Sequence, residues 1–124
     1  MNKSIVVADA SPLIAFARID HLPTLVKTLG SIIIPQSVAD ECTKDSFRPG
    51  AATIQKSIHA NMINVHKDDL ATDQLNHLKT FLGPGESAAI VLALELNAGL
   101  LVDEKLARNA ASQLKIKINR VFFF

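Results

Sequence analysis

The chain has 124 residues, of which 48% are apolar and 20% charged, and its formal net charge is +1. That length supports one domain with a real core, and that composition excludes a disordered or collagen-like chain. The near-neutral balance gives no global field toward nucleic acid, and a single cysteine, Cys42, excludes an internal disulfide.

The first residues, Met1-Asn2-Lys3-Ser4, lack the apolar segment and cleavage site of a signal peptide. The longest apolar run, Ala88 to Leu94, is far short of membrane-spanning length. A cytoplasmic protein with no membrane association is expected. No internal repeat or linker interrupts residues 1–124, so the chain reads as a single domain.

Ile5 to Ala8 reads as a buried strand that runs straight into Asp9. Ser11 and Pro12 suit the cap and first turn of a short helix through Leu13, Ile14 and Phe16. Asp20 suits the cap of a second helix, with Leu22, Leu25, Val26 and Leu29 at helical spacing and Gly30 as its end. Ser31 to Ile34 is a second buried strand, stopped by Pro35. Ser37 starts a helix with Val38, Glu41 and Cys42. Residues 43–51 read as a polar loop, 51–60 as a helix and Met62 to Val65 as a short strand.

Asp68 and Asp69 are expected to open a polar helix, and Gly83-Pro84-Gly85 to break the chain. Glu86 to Asn97 is apolar almost all round, which predicts a central, buried helix ended by Gly99. Leu100 to Val102 is a strand ending in Asp103-Glu104. A basic helix with Lys105, Leu106, Ala107 and Arg108 follows, and Lys115 to Ile118 is expected to be the last strand. Strands alternating with helices through short turns imply a three-layer α/β/α sandwich with a central parallel sheet.

Four acids stand at the ends of strands or the starts of helices: Asp9, Glu41, Glu86 and Asp103, with Glu104 beside the last. Ligands of such sheets bind beyond the carboxyl ends of the strands, so these acids are expected to share one rim. Gathered carboxylates repel one another, and a hard cation relieves the repulsion. Oxygen ligands of this kind suit Mg²⁺ or Mn²⁺, ions that activate water for phosphodiester cleavage. Each acid also has a plain structural reading: Asp9, Asp103 and Glu104 as caps or first-turn acids, Glu41 as a solvated helix residue, Glu86 as an acid favoured near a helix N-terminus.

Four stretches carry a family resemblance: Val7-Ala8-Asp9-Ala10-Ser11-Pro12-Leu13-Ile14, Ile34-Pro35-Gln36-Ser37-Val38-Ala39-Asp40-Glu41, Gly83-Pro84-Gly85-Glu86-Ser87-Ala88-Ala89-Ile90 and Leu101-Val102-Asp103-Glu104-Lys105-Leu106-Ala107-Arg108. In this order they resemble the PIN-domain superfamily of metal-dependent ribonucleases. The chain is most similar to the compact prokaryotic branch whose members often act as toxins of toxin–antitoxin pairs. The resemblance implies RNA as substrate, an antitoxin protein as partner and Mg²⁺ or Mn²⁺ as cofactor. It implies a metal site of Asp9, Glu41, Glu86 and Asp103, with Ser11 supporting Asp9. Asp9 is then a direct ligand, Glu41 a ligand or the group that orients water, and either Asp103 or Glu104 the last acid.

Relatives in this branch continue past the last strand with a Gly-Ser or Gly-Thr turn and further helices. Here Asn119-Arg120 leads to Val121 and Phe122-Phe123-Phe124, a truncated-looking departure. An apolar surface left there would suit a partner or a second copy, and a homodimer is expected. Lys105 and Arg108 sit three apart on the helix after Asp103 and can share a face near the rim, and Arg48 lies in the polar loop after Glu41; these are the candidates for holding a phosphate backbone. The competing reading is a non-catalytic module that keeps the fold and binds nucleic acid or protein. A phosphoacceptor domain ranks below both, because no Lys-Pro follows the last strand. Gly83-Pro84-Gly85 lacks the Gly-Lys-Ser/Thr ending of a phosphate loop. His21, His59, His66 and His77 read as surface residues, and Cys42 as filler.

Overall fold

A computed structural model describes residues 5–67, 72–109 and 121–123. In chain order the elements are β1 (Ile5–Ala8), α1 (Ala10–Arg18), α2 (Leu22–Leu29), β2 (Ser31–Pro35), α3 (Gln36–Thr43), α4 (Ala51–His59), β3 (Ile63–His66), α5 (Thr72–Lys79), α6 (Pro84–Leu96), β4 (Gly99–Val102), α7 (Glu104–Asn109) and β5 (Val121–Phe123). The five strands form one parallel sheet in the order β3-β2-β1-β4-β5. Helices cover it in the α/β/α arrangement that the sequence predicts.

The strand order places the site. From β1 the chain moves outward to β2 and β3, then returns to β4 on the other side of β1. The gap between β1 and β4 is therefore the topological switch point, where connections leave in opposite directions and a crevice opens beyond the strand ends. Val7 pairs with Leu100 and Ala8 with Leu101, and the Asp9 N–H donates to the Leu101 carbonyl at 3.0 Å. Asp9 and Asp103 thus leave neighbouring strands at the same end.

The core forms as the apolar runs require. Val6, Val7 and Ala8 are fully buried, as are Ile32 and Ile34 of β2 and Val102 of β4. Helix α6 packs against β1, β2, β4, α3 and α5, which explains why nearly every face of it is apolar. Ile90, Val91 and Leu92 have no solvent exposure.

Several boundaries differ from the sequence expectation. Asp9, rather than Ser11, occupies the N-cap position of α1, and Ser11 and Pro12 lie inside its first turn. His21, not Asp20, precedes α2, and Asp20 adopts a left-handed conformation at φ 61°. Helix α3 follows Pro35 directly, so it begins at Gln36 rather than Ser37. The break expected at Gly83-Pro84-Gly85 ends at Gly83, the N-cap of α6, so the helix begins two residues before Glu86. Pro84 opens α6, because a fixed φ and a missing N–H suit a helix start. Asn97 ends α6 at φ 52°, and Gly99 is a buried residue of β4. The expected opening of α5 at Asp68-Asp69 and the expected strand Lys115 to Ile118 lie outside the described residues. Val121–Phe123 is itself a strand, with Phe122 in register with Leu101 and Phe123 with Val102.

An acidic site at the switch point

Asp9 is the centre of the site. It is 3% exposed, and its Oδ1 has no hydrogen-bond partner among the described residues. Burial raises its pKa from 3.8 to about 6. The Ala10 backbone N–H opposes that rise, while the charges of Glu86, Glu41 and Asp103 add to it. A buried acceptor left unpaired is costly, so the arrangement is not one that folding alone would select.

The other three acids reach the same rim from different elements. Glu41 lies on α3 and Glu86 in the first turn of α6, which packs against α3. Gly85 sits between them and Asp9. A methyl group at its Cβ position would lie 3.7 Å from Glu41 Oε1 and 3.9 Å from Asp9 Oδ1. The orphaned oxygen of Asp9 and the Glu41 carboxylate therefore flank one small space, held open by the lack of a side chain at Gly85.

Glu86 and Asp103 also serve their helices. Glu86 Oε1 accepts the Gly83 N–H at 3.0 Å, one half of a capping box that glycine has no side chain to complete. Asp103 Oδ1 accepts the Leu106 N–H at 2.8 Å and caps α7. For both residues the capping reading and the proximity to Asp9 hold together: one oxygen is fixed on backbone, and the charge still acts on Asp9. Glu104 is exposed and is not among the charges that act on Asp9.

Among the described residues, no three His, Cys, Asp or Glu side chains close on a point tightly enough to grip an ion directly. The donor set still fits a hard cation. Mg²⁺ keeps several of its waters and takes one or two carboxylates directly. Were such an ion bound, Asp9 would offer it the unpartnered oxygen, and the surrounding acids would accept hydrogen bonds from its waters.

The remaining sequence candidates are dispersed. Ser11 is exposed in α1, Lys105 is exposed on α7, and the Arg108 side chain lies outside the described residues. Arg48 lines a pocket together with Glu41. Sequence reasoning missed Gly85 and Arg18, which lines the same pocket. It also missed Ser37 as a site neighbour. Its hydroxyl is buried without a partner among the described residues, one turn before Glu41 on the same helix, and the four-residue spacing was the available signal. Cys42 is buried, and burial together with the Glu41 and Asp9 charges pushes its thiol up to about 12, so it is no nucleophile at neutral pH.

A family model described as PIN domain matches residues 5–123, and the chain belongs to that family. PIN domains are generally nucleases that act on nucleic acid with divalent metal ions. No curated protein matches the chain. Among the described residues no helix is long and apolar enough to cross a membrane.

Proposed function

We propose that residues 1–124 form a single PIN domain that acts as a Mg²⁺- or Mn²⁺-dependent endoribonuclease. The observation that carries this reading is the buried, unpartnered Asp9 Oδ1, facing acids from three other elements at the switch point. A bound divalent ion would supply activation of water and stabilisation of charge on the phosphodiester. Asp9 would hold it directly, and Glu41, Glu86 and Asp103 would hold its waters.

The chain's own residues set up that chemistry. Burial withholds solvent from Asp9, so its charged form is stabilised chiefly by a cation. Caps at Glu86 and Asp103 fix the direction of those carboxylates before substrate arrives. Glu41 is exposed and carries no fixed bond in its helix, so it is the acid free to accept a proton from an attacking water.

Calorimetric titration of Mn²⁺ into the protein, with Asp9→Asn alongside, tests the site. Binding that the variant loses, together with Mn²⁺-dependent RNA cleavage, is expected. Absence of binding in both proteins refutes it and leaves the non-catalytic module. A toxin role in the manner of the compact prokaryotic branch predicts growth arrest on induction, relieved by a cognate protein and absent for Asp9→Asn. Association into a homodimer predicts a concentration-dependent mass in sedimentation.

A further inference from the structure

We propose that Arg18, Arg48 and Phe47 form a subsite for one unpaired nucleotide beside the acidic rim. A cavity of about 180 Å³ lies between α1, α3 and the 44–50 loop, lined by Ile14, Arg18, Glu41, Cys42, Arg48 and Pro49. Two arginines and one glutamate are among its lining residues, so the lining carries net positive charge next to a strongly acidic site. Glu41 belongs to both.

The loop is locked against α1. Gly50 adopts φ +90°, and a Cβ there would lie 3.0 Å from Ala17 Cβ and 3.6 Å from Arg18 Cγ. That contact brings Arg48, two residues earlier, onto the cavity that Arg18 lines. A turn at Asp45 sets the loop's shape: its Oδ1 accepts the Phe47 N–H and its carbonyl accepts the Arg48 N–H, both at 3.1 Å.

Phe47 is 95% exposed, against 45% for Phe81, which packs edge-on to His77. Folding gains nothing from an aromatic ring left in water. Its Cα is one step of about 3.8 Å from that of Arg48. An exposed ring adjacent in the chain to one of two arginines that line a common cavity suits a single-stranded nucleotide. The fork-shaped cations take the phosphate, and the ring stacks on a base that duplex pairing would have hidden. Because Glu41 links the cavity to the acidic rim, the nucleotide held here flanks the scissile phosphodiester. That last clause rests on the nuclease reading; the binding itself does not.

The test is fluorescence anisotropy of a labelled ten-nucleotide oligouridylate in EDTA, where no cleavage occurs. Phe47→Ala is expected to weaken binding about tenfold. Arg18→Ala and Arg48→Ala should each reduce the slope of log K against log salt by about 0.7. Lys56→Ala, on α4 in a separate hollow, should change neither. All four substituted side chains are exposed, so melting temperatures should hold within a few degrees. Failure to bind the RNA, equal loss in Lys56→Ala, or unchanged binding in all three cavity variants overturns the subsite. Loss in those variants without any Mn²⁺-dependent cleavage by the parent supports the subsite and removes the nuclease reading. Cleavage by the parent with unaltered binding by the variants does the reverse.

Discussion

Asp9→Asn removes a charge from a buried place, and its effect on stability should depend on pH in a calculable way. The folded-state pKa of Asp9 is raised to about 6, against 3.8 for an ordinary aspartate. The folded protein therefore binds that proton more tightly than the unfolded chain. Sign follows directly: the favourable contribution is complete below pH ~4 and is lost as pH rises through about 6. At about 1.4 kcal/mol for each tenfold step in proton affinity, the loss is about 3 kcal/mol by pH 8. Asparagine cannot ionise, so the variant should not suffer it. Any fixed cost of burying an amide is the same at both pH values and cancels in the difference. Urea denaturation in EDTA at pH 4 and pH 8 should show the variant gaining about 2.5 kcal/mol on the parent between them, since the unfolded group is already partly ionised at pH 4, or roughly 10 °C in melting temperature. Parallel pH profiles for the two proteins would refute the reasoning. Added Mn²⁺ should then stabilise the parent at pH 8 and leave the variant unmoved, because only a group that binds the folded state shifts the equilibrium.

Glu86→Gln keeps an acceptor for the Gly83 N–H but removes the charge, so stability should hold while Mn²⁺ affinity falls in calorimetry; Glu86→Ala should lose both. Gly85→Ala places a methyl in ordinary contact with Val38, Glu41 and Asp9, so melting should change little while RNA cleavage drops sharply. Gly50→Ala forces an alanine into left-handed backbone against Ala17, which should cost about 1–2 kcal/mol in denaturant titration. Ile90→Ala opens a cavity where α6 places a fully buried side chain and should cost about 2–5 kcal/mol in the same assay.

The parallel sheet was legible because Ile5 to Ala8, Ser31 to Ile34 and Leu100 to Val102 are apolar on both faces, a pattern that helical cover on both sides requires. The carboxyl-end acids were legible for the same reason: a charge at the end of such a run has only the rim to occupy. Helix starts were less so. Asp20 and Ser37 are good capping residue types, yet the chain turned one residue elsewhere, because tertiary packing of Leu22 and Val38 sets where each helix begins. Gly83-Pro84-Gly85 reads as a breaker in isolation and acts as a helix start because Pro84 falls at its first position. The partners of Asp9 were only partly legible. Gly85 matters for what it leaves empty, and an emptiness between three elements has no local signature. Arg18 and Arg48 are thirty residues apart, and nothing short of the Gly50 contact with α1 brings them together.

The same topology explains why the acid is buried and why the fold tolerates it. β1 is the middle strand, so whatever follows it is covered on both sides by β2 and β4 and by the start of α6. A carboxylate there must lose its solvent, and among the described residues no donor meets its Oδ1. The compensation is spread over the neighbours: α6 buries Ile90, Val91 and Leu92 directly behind the rim, and each such side chain contributes about 2 kcal/mol. Two such side chains offset the deficit at Asp9 with stability to spare. The buried charge is thus held in place by a helix whose start lies against it and whose later residues anchor the core. Glu86 and Asp103 are already oriented by the backbone N–H groups they accept, so on the reading proposed above a cation would relieve the charge without any rearrangement of the sheet. Substitutions behind the rim should consequently lower stability without altering the pH at which Asp9 titrates, whereas substitutions at Glu41, Glu86 or Asp103 should lower that pH.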